Sequence, residues 1–145
     1  MINENIKVTG QVMVEITGPD GQVKERREIK NLVVTSGKTF IAGRMVGTPT
    51  AMSHMAIGSS STAAANGDTA LGAELGRVAL ATSGSSANVV TYTASFPAGT
   101  GTGAVVEAGI FNASTAGTML CRTVFPVINK GVDDAMSITW QITVS

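Results

Sequence analysis

The stretch Ile6-Lys7-Val8-Thr9-Gly10-Gln11-Val12-Met13-Val14-Glu15-Ile16-Thr17 decides the fold. Its even positions are apolar or glycine, and its odd positions are mostly polar. Successive side chains on a strand point to opposite faces, so this segment predicts a β-strand with one buried and one wet face. Gly18-Pro19-Asp20-Gly21 follows. Proline sets φ for a turn and glycine takes the positive φ, so the chain reverses here. Residues 22–34 then predict the return strand. Its first half, Lys24-Glu25-Arg26-Arg27-Glu28, is charged on both faces, which predicts a hairpin tip near 18–28 projecting into solvent.

The same period recurs to the end of the chain. Val90, Tyr92, Ala94 and Phe96 share one face, and so do Ala104, Val106, Ala108 and Ile110. Met136, Ile138, Trp140, Ile142 and Val144 form the clearest stripe. Short strands are expected at 54–58 and 77–82, and an extended segment from 118 that ends near Pro126. Residues 69–75 suggest one helical turn. Between 36 and 46 the period lengthens: Phe40 and Ile41, then Met45 and Val46, recur at helical spacing, and Gly47 is a stop signal. The expected fold is therefore all-β. It has about eight antiparallel strands in a β-sandwich or jelly-roll-like arrangement, with one short α-helix over about 36–46. Residues 1–7 read as an N-terminal arm and 8–145 as a single domain.

Composition narrows the function. Apolar residues make up 43% of the 145, enough for a core, but charged residues make up only 14%, well below the usual ~25%. Seventeen glycines and many Ala, Ser and Thr leave a neutral surface of small side chains, suited to close packing against other subunits. Ten basic and ten acidic residues cancel. Nucleic-acid binding needs a basic field, so no direct nucleic-acid partner is expected. No apolar run reaches the ~18 residues of a membrane helix, so no membrane partner is expected. The start, MINENIKVTG, lacks the layout of a signal peptide, which implies synthesis and residence in the cytoplasm of the producing cell. The lone Cys121 excludes an internal disulfide and reads as a small core residue.

Several stretches imitate catalytic motifs. Ser36-Gly37-Lys38-Thr39 looks like the end of a phosphate-binding loop, but the first glycine of that motif would fall on Leu32, and Val34 occupies the loop itself. A β-branched residue does not adopt the dihedrals of the phosphate cradle. The alternative is that Thr35 or Ser36 caps a helix. The glycines of 99–103 lie between antiparallel strands and open no helix, so they read as a turn. His54 has no second histidine or cysteine with which to share a metal. Asp133 and Asp134 mark a turn, and adjacent residues at a strand end point apart. No catalytic, cofactor or metal site is expected, and the chain reads as non-enzymatic.

Four segments in series carry a resemblance: NLVVTSGKTFIAGRMVG (31–47), MSHMAIGSSSTAAANGDTALGAELGR (52–77), VTYTASFPAGTGTGAVVEAGIFNASTAGTMLCRTVFPVINKG (90–131) and ITWQIT (138–143). Together they resemble small structural proteins of tailed bacteriophages, over roughly residues 31–145. The resemblance implies a virion component present in many copies. Low charge and the absence of any fibre repeat favour a capsid cement or decoration protein on the outer surface of the head. Its partners would be the phage major capsid protein and further copies of itself, a dimer being the favoured homo-oligomer. A tail, baseplate or fibre-associated protein is the first alternative, and a host carbohydrate-binding jelly roll the second. Within the pattern Gly37, Arg77, Glu107, Gly109, Phe111, Arg122 and Trp140 are assigned structural roles. Glu107 has two candidate partners, Arg77 and Arg122, and Trp140 is expected in the core. Contacts are expected from the arm (Met1, Ile2, Asn3), the charged hairpin (Lys24, Arg26, Arg27) and the small-residue loop (Ser59, Ser60, Ser61, Thr62). The arm suits addition of a strand to a neighbour's sheet.

Overall fold

A computed structural model describes residues 5–145; Met1, Ile2 and Asn3 of the expected contact arm lie outside the described residues. The chain runs β1 (Val8–Thr17), β2 (Val23–Val33), α1 (Thr35–Arg44), β3 (His54–Gly58), β4 (Glu74–Ala79), β5 (Thr82–Ser86), β6 (Val89–Phe96), β7 (Gly103–Phe111), β8 (Met119–Lys130) and β9 (Ala135–Val144). All pairings are antiparallel, in the order β4-β3-β7-β8-β2-β1-β9-β6-β5. The all-β architecture with one short helix is thus as the periodicity predicts. β1·β9, β2·β8 and β3·β7 nest inside one another, the pairing that a long rolled hairpin would make.

The sheet curls until its two edges meet. β4 and β5 are one strand with a bend at Leu80 and Ala81. Leu80 N–H donates to Ser53 O on the β3 side (2.9 Å), and Ala81 N–H donates to Thr93 O in β6 (2.7 Å). Both edges of the sheet thereby belong to one bent segment, which leaves little free strand edge. Inside the curl lies one apolar core. β1 contributes Val12, Val14 and Ile16, and β9 contributes Met136, Ile138, Trp140 and Ile142. Phe96, Ile110, Phe125 and Ile57 arrive from the other strands. Trp140 is fully buried there, as expected.

The local expectations that fail do so for identifiable reasons. Residues 69–73 form no helical turn; the segment is irregular and enters β4 at Glu74. β8 does not stop at Pro126. The β7·β8 register passes from Val105↔Ile128 to Glu107↔Val124, so Phe125, Pro126 and Val127 together oppose Val106. This bulge accommodates a proline that cannot donate to a ladder. It also shifts the buried face of β7: Val105 is buried and Ala104 is exposed, against simple alternation. The hairpin tip does not project freely. Lys24 Nζ lies 3.0 Å from Asp134 Oδ2 in the β8–β9 turn, and Arg27 pairs with Glu25 on the same face of β2.

The helix also differs from expectation. It spans Thr35–Arg44, and the residue at its N-cap is Val34, with no side-chain cap. Thr35 and Ser36 sit inside the first turn, and Ser36 Oγ donates to Met119 O (3.1 Å) rather than to the helix. Gly37 is buried against β8, where a Cβ would stand 1.9 Å from Leu120 O. The residue that resembles a phosphate-loop glycine is there so that a helix can touch a strand backbone. Phe40 is buried and Ile41 half-buried, but Met45 and Val46 lie beyond the helix, 85% and 80% exposed.

Candidate functional site

Strand alternation sends Ala108 and Ile110 of β7 into the core and Glu107, Gly109 and Phe111 to the opposite face of the sheet. That outer face is covered by the loop 59–73. A carboxylate pointing out of the core is nonetheless completely buried: Glu107 is 0% exposed. It survives there because all of its acceptor capacity is used. Oε2 accepts from the backbone N–H of Ser60 (2.8 Å) and Ala73 (2.9 Å); Oε1 accepts from Gly72 N–H (2.9 Å) and Arg122 Nε (3.0 Å). A buried charge is tolerated only when paired and hydrogen-bonded in this way.

Arg122 continues the clasp. In the β7·β8 ladder it lies opposite Gly109, diagonal to Glu107 on the same face. Its Nη1 donates to Asp68 Oδ2 (3.0 Å) and its Nη2 to Thr62 O (2.9 Å). Asp68 Oδ2 in turn accepts from Ala65 N–H (2.9 Å). The loop's backbone groups, which have no ladder to join, are thus satisfied by side chains of β7 and β8. Of the two candidate partners, Glu107 bonds Arg122.

Arg77 makes a second clasp alongside. Its guanidinium lies 3.8 Å over the Phe111 ring. Nη1 donates to Ala113 O (3.0 Å) and Ala116 O (2.9 Å), and Nη2 to Glu74 Oε1 (2.7 Å). Phe111 belongs to a small outer core with Val34, Ala56 and Met119, against which Leu71 packs. Gly109 leaves room for that leucine: a Cβ there would stand 3.0 Å from Leu71 Cδ2 and 3.2 Å from Cys121 O. Gly58 does the same for Glu107, whose Oε2 a Cβ would approach to 2.5 Å. Thr35 N–H donates to Asn66 O (2.9 Å), so the loop also reaches the start of α1.

Arg77, Glu107, Gly109, Phe111 and Arg122 therefore meet in one place, and Gly37 sits at its border. Trp140 lies apart, on the other side of the sheet. The expected contact residues do not converge. Ser59, Ser61 and Thr62 are exposed on the loop and Ser60 is half-buried beneath it, whereas Lys24 and Arg26 are exposed at the hairpin and Arg27 is half-buried there. Sequence reading passed over Asp68 and Leu71. Their signal was contrast, one acid and one bulky apolar residue in a run of Ser, Thr, Ala, Asn and Gly.

Chemically the clasp is saturated. Each carboxylate oxygen of Glu107 already accepts two hydrogen bonds, and the guanidinium of Arg122 is spent on the loop. Cys121 is fully buried beside it, and burial pushes its thiol well above the ordinary range. His54 Nδ1 contacts the neighbouring Ser53 Oγ at 2.8 Å. Among the described residues no group of three His, Cys, Asp or Glu could hold a metal ion. What the arrangement does is hold a small-residue loop in one shape. No protein-family model, no curated protein and no solved structure matches the chain.

Proposed function

We propose that this chain is a non-enzymatic structural protein of a tailed-phage virion, a cement or decoration protein lying on the outer surface of the capsid across neighbouring major capsid subunits. The observation that carries the reading is the clasp. Glu107 and Arg122, two groups expensive to bury, are committed to shaping the loop 59–73, whose exposed face consists of Ser, Thr, Ala, Asn and Gly. A surface of small side chains fixed in advance loses little entropy when a partner covers it. Such a contact need not be strong alone, since many copies on one shell add through multivalency. The residues of the clasp are also those in the segments that resemble phage structural proteins.

The test is cryo-electron microscopy of virions assembled with this chain. Density for it across capsid-subunit boundaries on the head is the expected result. Density only at the tail would replace the reading with the tail or baseplate alternative, and its absence from the virion would overturn both.

A further inference from the structure

The strands run along one axis, so the turns gather at two ends. One end holds the start of β1, the end of β9 and the helix α1; there Lys7 and Ser145 exchange backbone hydrogen bonds of 2.7 and 2.8 Å. The other end holds the β1–β2 and β8–β9 turns, tied together by Lys24 and Asp134.

Charge is sorted between these ends. Lys24, Arg26, Arg27, Arg77 and Arg122 all pair with carboxylates. The exposed cations among the described residues that enter no ion pair are Lys7, Lys30, Lys38 and Arg44. Lys7, Lys38 and Arg44 stand at the helix end, and Lys30 on the half of β2 nearest it. The described side-chain carboxylates outside any ion pair are Glu15, Asp20 and Asp133, all toward the turn end. Large exposed apolar side chains accompany both sets: Ile6, Met45 and Val46 at the helix end, Val23 and Val132 at the turn end. The helix end also carries an apolar hollow of about 220 Å³ between Ile41, Arg44, Tyr92 and Val144.

From this complementarity we infer that the chain associates with further copies of itself head to tail, the basic helix end of one copy against the acidic turn end of the next. A second copy is the occupant because one molecule carries both halves of the match. Joining like ends would set unpaired cations against cations, or carboxylates against carboxylates, and costs energy. A head-to-tail joint is heterologous, so it builds a ring when its rotation closes and a filament when it does not. This goes beyond the dimer expected from the sequence, and it stands or falls independently of a place on the capsid.

Sedimentation velocity of the purified full chain, from about micromolar to millimolar concentration and in low and high salt, tests it. The expected result is association beyond a monomer that weakens as salt screens the ends. Reversing one end, with Lys7→Glu, Lys38→Glu and Arg44→Glu, or the other, with Asp20→Lys and Asp133→Lys, weakens association by about tenfold or more. Combining both sets restores it, because the two ends are again opposite in sign. The pair Met45→Ser and Val132→Ser, which leaves every charge in place, weakens it too and guards against a charge variant that does not fold. A monomer at all concentrations overturns the inference. So does a dimer indifferent to the turn-end charges, which would be a two-fold contact. Virion imaging reads the proposed function separately, so either result can fail without the other.

Discussion

Glu107 Oε1 and Arg122 Nε lie 3.0 Å apart on the outer side of β7 and β8, each side chain almost wholly removed from water. β7, β8 and the polar loop 59–73 all depend on these two charges. Removing one partner leaves the other charged and buried, which typically costs about 3–5 kcal/mol. Glu107→Gln and Arg122→Met are each expected to destabilise the fold on that scale, and the double variant by less than the sum. Denaturant unfolding of the three variants measures this. Hydrogen exchange at Ser60, Gly72 and Ala73, whose N–H groups Glu107 holds, should accelerate in Glu107→Gln by more than the global change in stability accounts for.

Gly37 is where α1 meets the backbone of β8. Alanine is normally a better helix former than glycine by about 1 kcal/mol, but here its Cβ would overlap Leu120 O. Gly37→Ala is expected to lower stability by about 3 kcal/mol, against the propensity trend. Gly84, whose added Cβ would meet nothing within 4 Å, provides the control. Gly84→Ala should stay within about 0.5 kcal/mol in the same thermal melt.

The acid side of the stability profile should report Asp134. The Lys24 ammonium and the Gly131 N–H hold its carboxyl below the usual range. A depressed folded value means stability that is present above the unfolded pKa and lost as pH falls through the folded one. The loss belongs below the ordinary value of 3.8. Asp134→Asn should remove that segment of the profile, read as the difference in unfolding midpoint between the two proteins across the acid range.

On the alkaline side burial raises both the thiol of Cys121 and the phenol of Tyr92. The thiol stands well above its ordinary value of 9.0, so the folded protein keeps a proton that the unfolded chain gives up. Its contribution is complete below that value and declines as pH rises above it toward the folded pKa. Lys130, lowered by burial, acts with the opposite sign in the same range. Comparing wild type with Cys121→Ala isolates the thiol: the variant should be less stable at neutral pH and lose less stability above pH 9.

Trp140 is the single tryptophan and is fully buried, and its Nε1 has no hydrogen-bond partner among the described residues. Its emission should be blue-shifted, resist acrylamide quenching and move to the red in one step with unfolding. Trp140→Ala is expected to cost about 3–5 kcal/mol.

Much of the fold was legible because period-2 alternation acts locally. β1 follows its stripe, and β9 follows its own as far as Ile142, with Val144 exposed at the end, since each has one face on the core and a ladder partner along its length. β7 was misread at Ala104 because its register depends on a bulge in another strand, around Pro126. The helix was placed by spacing, yet its capping was not, because Ser36 finds its acceptor in Met119, 83 positions away. Arg77, Glu107, Gly109, Phe111 and Arg122 were singled out one by one, but neither their meeting with Asp68 and Leu71 nor which arginine Glu107 would choose was legible. That choice rests on the ladder that sets Arg122 diagonal to Glu107, while Arg77, across β3, turns to Phe111 and Glu74.

Local pattern and composition suffice for an all-β chain with one short helix, a core built from alternating faces and a low-charge surface. It is distant contacts that bury a carboxylate on the outward face of β7, set a glycine of a phosphate-loop lookalike against a strand, and place the exposed unpaired side-chain charges of the described residues at opposite ends. Those outcomes depend on which distant segments cover, touch or neutralise a residue, and register and chain reversal set that in space.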